Sequence, residues 1–128
     1  MSEPDQTSPE VAATLFDLAR EGATETLTQY LDDGAPAGLT NDAGDSLLML
    51  AAYHSHVDTV AALLKRGADP NHANAKGQTP LAGAVFKGSE TIVRALLDAG
   101  ADPAAGFPSA MEAARMFGKT DMLALFER

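Results

Sequence analysis

Leu63-Leu64-Lys65-Arg66-Gly67-Ala68-Asp69-Pro70 comes back 33 residues later as Leu96-Leu97-Asp98-Ala99-Gly100-Ala101-Asp102-Pro103. A looser copy, Tyr30-Leu31-Asp32-Asp33-Gly34-Ala35-Pro36, stands 33 residues earlier. Gly34, Gly67 and Gly100 are therefore equally spaced. A fixed period of this size marks a repeat architecture. One unit cannot bury its own apolar face, so it must stack on a neighbour.

Working outward, each unit divides into two short helical patterns. Ser8-Pro9-Glu10 opens the first, with Ser8 as N-cap, Pro9 in the first turn and Glu10 at the positive dipole end. Val11, Leu15, Leu18 and Ala19 share one face at helical spacing, and Gly22 closes the helix. Thr24 to Asp33 follows, with Leu27, Tyr30 and Leu31 apolar. In the second unit Ser46 caps a helix carrying Leu48, Ala51 and Ala52, and Val57 to Arg66 carries Val60, Leu63 and Leu64. Thr79-Pro80 opens the third, with Leu81, Ala84 and Val85 inward and Gly88 at the end; Ile92, Val93, Leu96 and Leu97 face inward from its second helix. Ser109-Ala110-Met111-Glu112 is a capping box at the start of the fourth. Its apolar set is Met111, Ala114, Met122, Leu123 and Phe126, and the last helix is expected to run to Arg128.

The pattern predicts an all-α fold in one domain, residues 9–128, divided at about 9–40, 41–73, 74–106 and 107–128. Residues 1–8 read as a flexible acidic tail. The connections Ala35 to Asp45 and Ala68 to Gln78 are long. Each holds a tight-turn signal, Asn41-Asp42-Ala43-Gly44 and Asn74-Ala75-Lys76-Gly77. The third connection is three residues shorter, because Gly88 and Gly118 are 30 apart.

Charge narrows the function. The 128 residues hold 18 acids and 9 bases, a net charge of -9. That argues against nucleic acid, whose backbone requires a basic stripe, and against anionic membrane surfaces. Residues 1–64 hold 11 acids and Arg20 as the one base; residues 65–128 hold 7 acids and 8 bases. A partner with a basic surface would be drawn to the N-terminal half. There is no cysteine, so thiol chemistry and thiolate metal sites are excluded. The polar first residues do not form a signal peptide, and no apolar run is long enough to span a bilayer. A cytoplasmic protein, monomeric on its own, is expected.

Gly77-Gln78-Thr79-Pro80-Leu81 with Gly88, Ile92-Val93, Leu96-Leu97 and Gly100-Ala101-Asp102 resembles an ankyrin repeat. So does the second unit, through Gly44, Ser46, Leu48, Ala51-Ala52, His56, Val60, Leu63-Leu64, Gly67-Ala68-Asp69 and Asn71. The resemblance, to a short bacterial-type member, spans about 9 to 128 as four repeats, the outer two acting as caps. It implies an ankyrin-repeat solenoid of stacked helix-turn-helix pairs with hairpin fingers. It also implies an interaction scaffold that binds a partner protein with its concave inner-helix face and fingers. Three departures stand out. Met49 and Ala82 occupy the place where the family often has a histidine bonding between repeats. Ser55 stands where Gly22, Gly88 and Gly118 end the first helix of the other units. Pro36 replaces the aspartate found at Asp69 and Asp102.

Candidate chemistry is sparse. His54 and His56 lie two apart, with His72 elsewhere, and no metal or cofactor is expected of them. Asp32-Asp33 and Asp42 with Asp45 are paired carboxylates, but they fall on a helix end and a loop tip rather than in a dry pocket that raises one pKa. No catalytic residue is assigned. The binding surface has better candidates. Tyr53, Phe86 and Met116 hold equivalent places in successive inner helices, with Arg20 in the first; Glu21, His54, Lys87 and Phe117 form the adjacent row. Asp42, Asp45, Lys76 and Gln78 flank them from the fingers. These rings either form an exposed recognition stripe or fill core between repeats. The alternative function is a small enzyme or small-ligand protein using the concave groove.

Overall fold

In the computed structural model, residues 8–127 are described. Residues 1–7, which hold nearly all of the expected tail, and Arg128 lie outside the described residues. The described chain is all-helical: α1 (Pro9–Glu21), α2 (Thr24–Asp32), α3 (Leu47–Tyr53), α4 (Val57–Lys65), α5 (Pro80–Lys87), α6 (Glu90–Asp98), α7 (Ala110–Met116) and α8 (Thr120–Phe126). The odd-numbered helices pack side by side in chain order as an inner layer. The even-numbered ones do the same as an outer layer, each against its own inner helix.

Local chemistry sets the helix starts. Ser8, Ser46, Thr79 and Ser109 each sit in extended backbone and accept a hydrogen bond from the amide three residues on, at 3.3, 3.0, 3.2 and 3.1 Å. Each such cap is worth about 1 kcal/mol. Glu112 returns the bond to the Ser109 amide at 3.0 Å, completing the capping box. The turn between paired helices needs one left-handed residue. Gly22, Gly88 and Gly118 supply it at φ 74, 75 and 65°, and Ser55 adopts the same conformation at φ 62°. The last helix stops at Phe126, earlier than expected from the sequence, with Glu127 as its C-cap.

The core lies between the layers. Leu15, Leu48, Leu81, Val60, Leu63, Ile92 and Leu96 are fully buried, and Ala19, Ala51, Ala52, Ala84 and Ala114 let the helices approach closely. Met49 and Ala82 are also buried, so apolar packing replaces a polar link at that position. Polar links between repeats occur elsewhere. His56 Nε2 donates to the Arg20 carbonyl at 2.6 Å, Thr24 and Thr59 share a hydroxyl bond of 2.7 Å, and Asn71 spans to the Gly100 carbonyl and the Asp102 amide.

The loops stand up as fingers from the inner layer. Asn41 and Asn74 fold the first two identically, each side-chain oxygen accepting from two amides of its own turn. Ala75 N–H then donates to the Ala43 carbonyl at 2.9 Å, and Phe107 N–H to the Gly77 carbonyl at 2.8 Å, so adjacent fingers are tied backbone to backbone. The three-residue deletion leaves the third finger short, with a cis Phe107–Pro108 bond and the Phe107 ring 80% exposed.

Candidate functional site

Three inner helices end in aromatic side chains that touch. The rings of Tyr53 and Phe86 stack in parallel, 6.1 Å between centroids and 8° between planes. Phe117 meets Phe86 edge-on at 5.5 Å. Lys87 Nζ lies 4.5 Å from the Tyr53 centroid, a cation over a ring face. Tyr53 is 38% exposed, Phe86 54%, Phe117 48% and Met116 71%. Side chains this open are not core.

The ladder departs from the expected row at its last step. Met116 is the residue equivalent to Tyr53 and Phe86, yet the third ring is Phe117, the C-cap residue just past α7. A flat ring one position on reaches sideways to Phe86. Met116 instead lines, with Phe86 and Phe117, a groove of about 290 Å³ whose lining also includes the buried Met49, Ala82 and Gly83 and the exposed Pro108. A second hollow of about 340 Å³ lies between the first two fingers, with Tyr53 as a shared wall.

The polar candidates divide into two groups. Asp45, Lys76 and Gln78 line the hollow between the fingers. The Asn74 side-chain amide holds two of them, donating to Asp45 Oδ1 and Gln78 Oε1 at 2.8 Å each. Asp42 at the first fingertip, and Arg20 and Glu21 at the end of α1, are exposed but line neither cavity. Arg20 turns to Asp17 at 3.1 Å. His54 caps α3 with its ring edge-on to Tyr53 at 5.7 Å and stacked on His56 at 6.3 Å. Partial burial, and then the cations His56, Lys87 and Arg20, hold its pKa below the ordinary 6.5.

The remaining titratable candidates have structural tasks. His72 Nε2 donates to the Gly44 carbonyl at 3.1 Å, steadying two fingers. Arg66 grips Asp32 with two bonds of 2.9 and 3.2 Å across one repeat. That hydrogen bond lowers the Asp32 pKa, the reverse of what a general acid requires. Among the described residues no group of three or more acids and histidines could hold a metal ion. The arrangement suits the seating of another molecule's side chains more than bond-making.

Sequence reading missed Gly83, Met49 and Pro108 as groove residues. Gly83, a glycine inside a strong helical pattern, was the available signal.

Four stacked helix pairs, with left-handed turns and tied fingers, match a known family. A family model described as ankyrin repeats, three copies, matches residues 15–106. The chain belongs to the ankyrin-repeat family. Ankyrin repeats are generally protein–protein interaction modules and generally not enzymes. Over 58 residues the chain is 53% identical to a Pseudomonas aeruginosa PAO1 protein named for ankyrin repeats, PA3287. That match covers 45% of this chain and 34% of the relative, so the chain spans only about a third of that protein's length. No helix of the described residues is long and apolar enough to cross a membrane.

Proposed function

We propose that this ankyrin-repeat chain is a non-enzymatic adaptor or regulator that binds a partner protein across Tyr53, Phe86, Phe117 and Met116. Four repeats, 9–40, 41–73, 74–106 and 107–128, build that surface. The observation that carries the reading is the exposed ring ladder, in which Phe86 touches Tyr53 on one side and Phe117 on the other and all three remain open to solvent. Such rigid, large side chains dominate interface energies, and most flanking contacts contribute little. Asp45, Lys76, Gln78, His54 and Lys87 form the near rim; Asp42, Arg20 and Glu21 lie further out. A basic area on the partner would meet the acids of the N-terminal half, which speeds encounter rather than anchoring the complex. The groove is open and holds no convergent set of polar groups, which disfavours the small-ligand alternative.

A photo-crosslinking side chain in place of Phe86, compared with one in place of Arg94 on the outer layer, tests the reading in cells. A discrete crosslinked species from position 86 and none from position 94 is expected. Equal patterns from both positions, or none from either, refute a concave binding site.

A further inference from the structure

Two lysines flank the ladder, although the whole chain carries -9. Lys87 lies over the Tyr53 ring. Lys119 brings its ammonium beside Gly88, the next residue, but in a separate hollow that it shares with Glu90 and Asp121. Lys76 shares the finger hollow with Tyr53. The ion pairs described in the chain, Arg20–Asp17, Arg66–Asp32 and Arg94–Glu90, involve none of these three lysines. The acid in that hollow, Asp45, is engaged by Asn74. Glu25, Asp58, Glu90 and Asp121 occupy the first turns of α2, α4, α6 and α8, in the other layer. His54 lies beside the ladder too, and burial first, then the charges of His56, Lys87 and Arg20, lower its pKa.

We infer that the ladder takes an acidic linear segment of the partner. One aromatic or large aliphatic side chain enters the groove beside Phe86 and Met116, and carboxylates on either side of it meet Lys87 and Lys76. This rests on the ladder being the recognition site. Charge complementarity selects the segment: a basic one would place its cations against Lys87 and Lys76. A carboxylate can also approach Lys87 without displacing it from the Tyr53 face, because an ammonium has three donors.

Selection of random linear peptides on the immobilised full chain tests the inference. Fluorescence polarisation of the selected peptides then compares the wild type with Phe86→Ala, Lys87→Glu and Lys65→Glu. Lys65 is exposed on α4, so its reversal changes net charge equally but away from the ladder. Selected peptides should combine Asp or Glu with Phe, Trp or Leu. Phe86→Ala and Lys87→Glu should each weaken them about tenfold, and Lys65→Glu less than about twofold. Melting curves confirm that each variant is folded, and Phe86→Leu replaces Phe86→Ala if the latter melts early. Ladder-dependent peptides that are basic or uncharged overturn the acidic assignment and leave the site standing. Peptides indifferent to Phe86, or the failure to select any, overturn the assignment; indifference to Phe86 also removes the ladder as the site.

Discussion

Gly83→Ala should stabilise the fold and weaken partner binding in the same molecule. Gly83 is buried inside α5, where glycine costs about 1 kcal/mol relative to alanine through backbone entropy. The added Cβ would lie 3.5 Å from Met49 Cε, 3.7 Å from Met49 Sδ and 3.7 Å from Tyr53 Cδ2, all ordinary contacts. One more buried methyl contributes up to about 0.8 kcal/mol. Together the gain is about 1–1.8 kcal/mol, or roughly 4–7 °C in melting midpoint for a chain of this size. Urea titration should show a higher midpoint with an unchanged slope, since the surface exposed on unfolding hardly alters. The methyl also enters the groove lining, so a partner side chain seated there loses room. An unchanged or lower midpoint would refute the packing of α5 on α3. A stabilised variant with full binding would refute the groove as the seat of an anchor.

The other outcomes follow from single residues. Ser55→Gly should raise the melting midpoint slightly, because removing a left-handed Cβ gains about 1–2 kcal/mol and unfolded-state entropy returns about 0.4–1 of it; a lower midpoint would contradict the left-handed Ser55. Phe86→Ala should cost only about 1–2 kcal/mol, since the ring is half exposed and loses one stacked and one edge-on ring neighbour; a loss of about 3–5 kcal/mol would make it core after all. Asp32 has its pKa lowered by Arg66, so the pair stabilises above the ordinary carboxylate range and stops doing so as pH falls through the folded value. Arg66→Gln should therefore lower the urea midpoint at about pH 6 but not at about pH 2.5, and an equal deficit at both would sink that account. His54 is also lowered, so its contribution is present above the ordinary 6.5 and declines as pH falls below it. His54→Asn should flatten part of the fall in melting midpoint between about pH 7 and pH 5, and parallel curves would refute it.

The fold was legible because its signals are local and repeated. The cap residues Ser46, Thr79 and Ser109 lie at the helix starts, and a shared 33-residue period places Gly67 and Gly100 at the same turn. Ser55 was legible too, since only a left-handed site is occupied by glycine in the three other units. The links between repeats were not. Arg66–Asp32 and His56 with the Arg20 carbonyl join residues more than 30 apart, and nothing local marks them. The ladder was half legible. Register places Tyr53 and Phe86 together, but register alone made Met116 the third member. Ring size and the end of α7 at Met116 bring Phe117 to Phe86 instead, and that is a matter of side-chain reach rather than spacing.

The cations beside the ladder have a second reason to be where they are, and it bears on how strongly they speak for a partner. Arg20, Lys87 and Arg115 occupy the last turns of α1, α5 and α7, where a positive charge interacts favourably with the helix dipole by about 0.3–1 kcal/mol. The acids Glu25, Asp58, Glu90 and Asp121 in the first turns of the outer helices follow the same rule. Helix dipoles alone therefore separate charge across three of the four tight turns, α3 having no base in its last turn. Lys76 is not accounted for in this way, because it stands on a finger outside any helix. Nor is the posture of Lys87, whose ammonium lies over a ring. Dipole complementarity is thus enough to place the charges on the inner edge. Lys76 and the Tyr53–Lys87 contact are what join that edge to the aromatic ladder, and so what single it out as a surface for carboxylates.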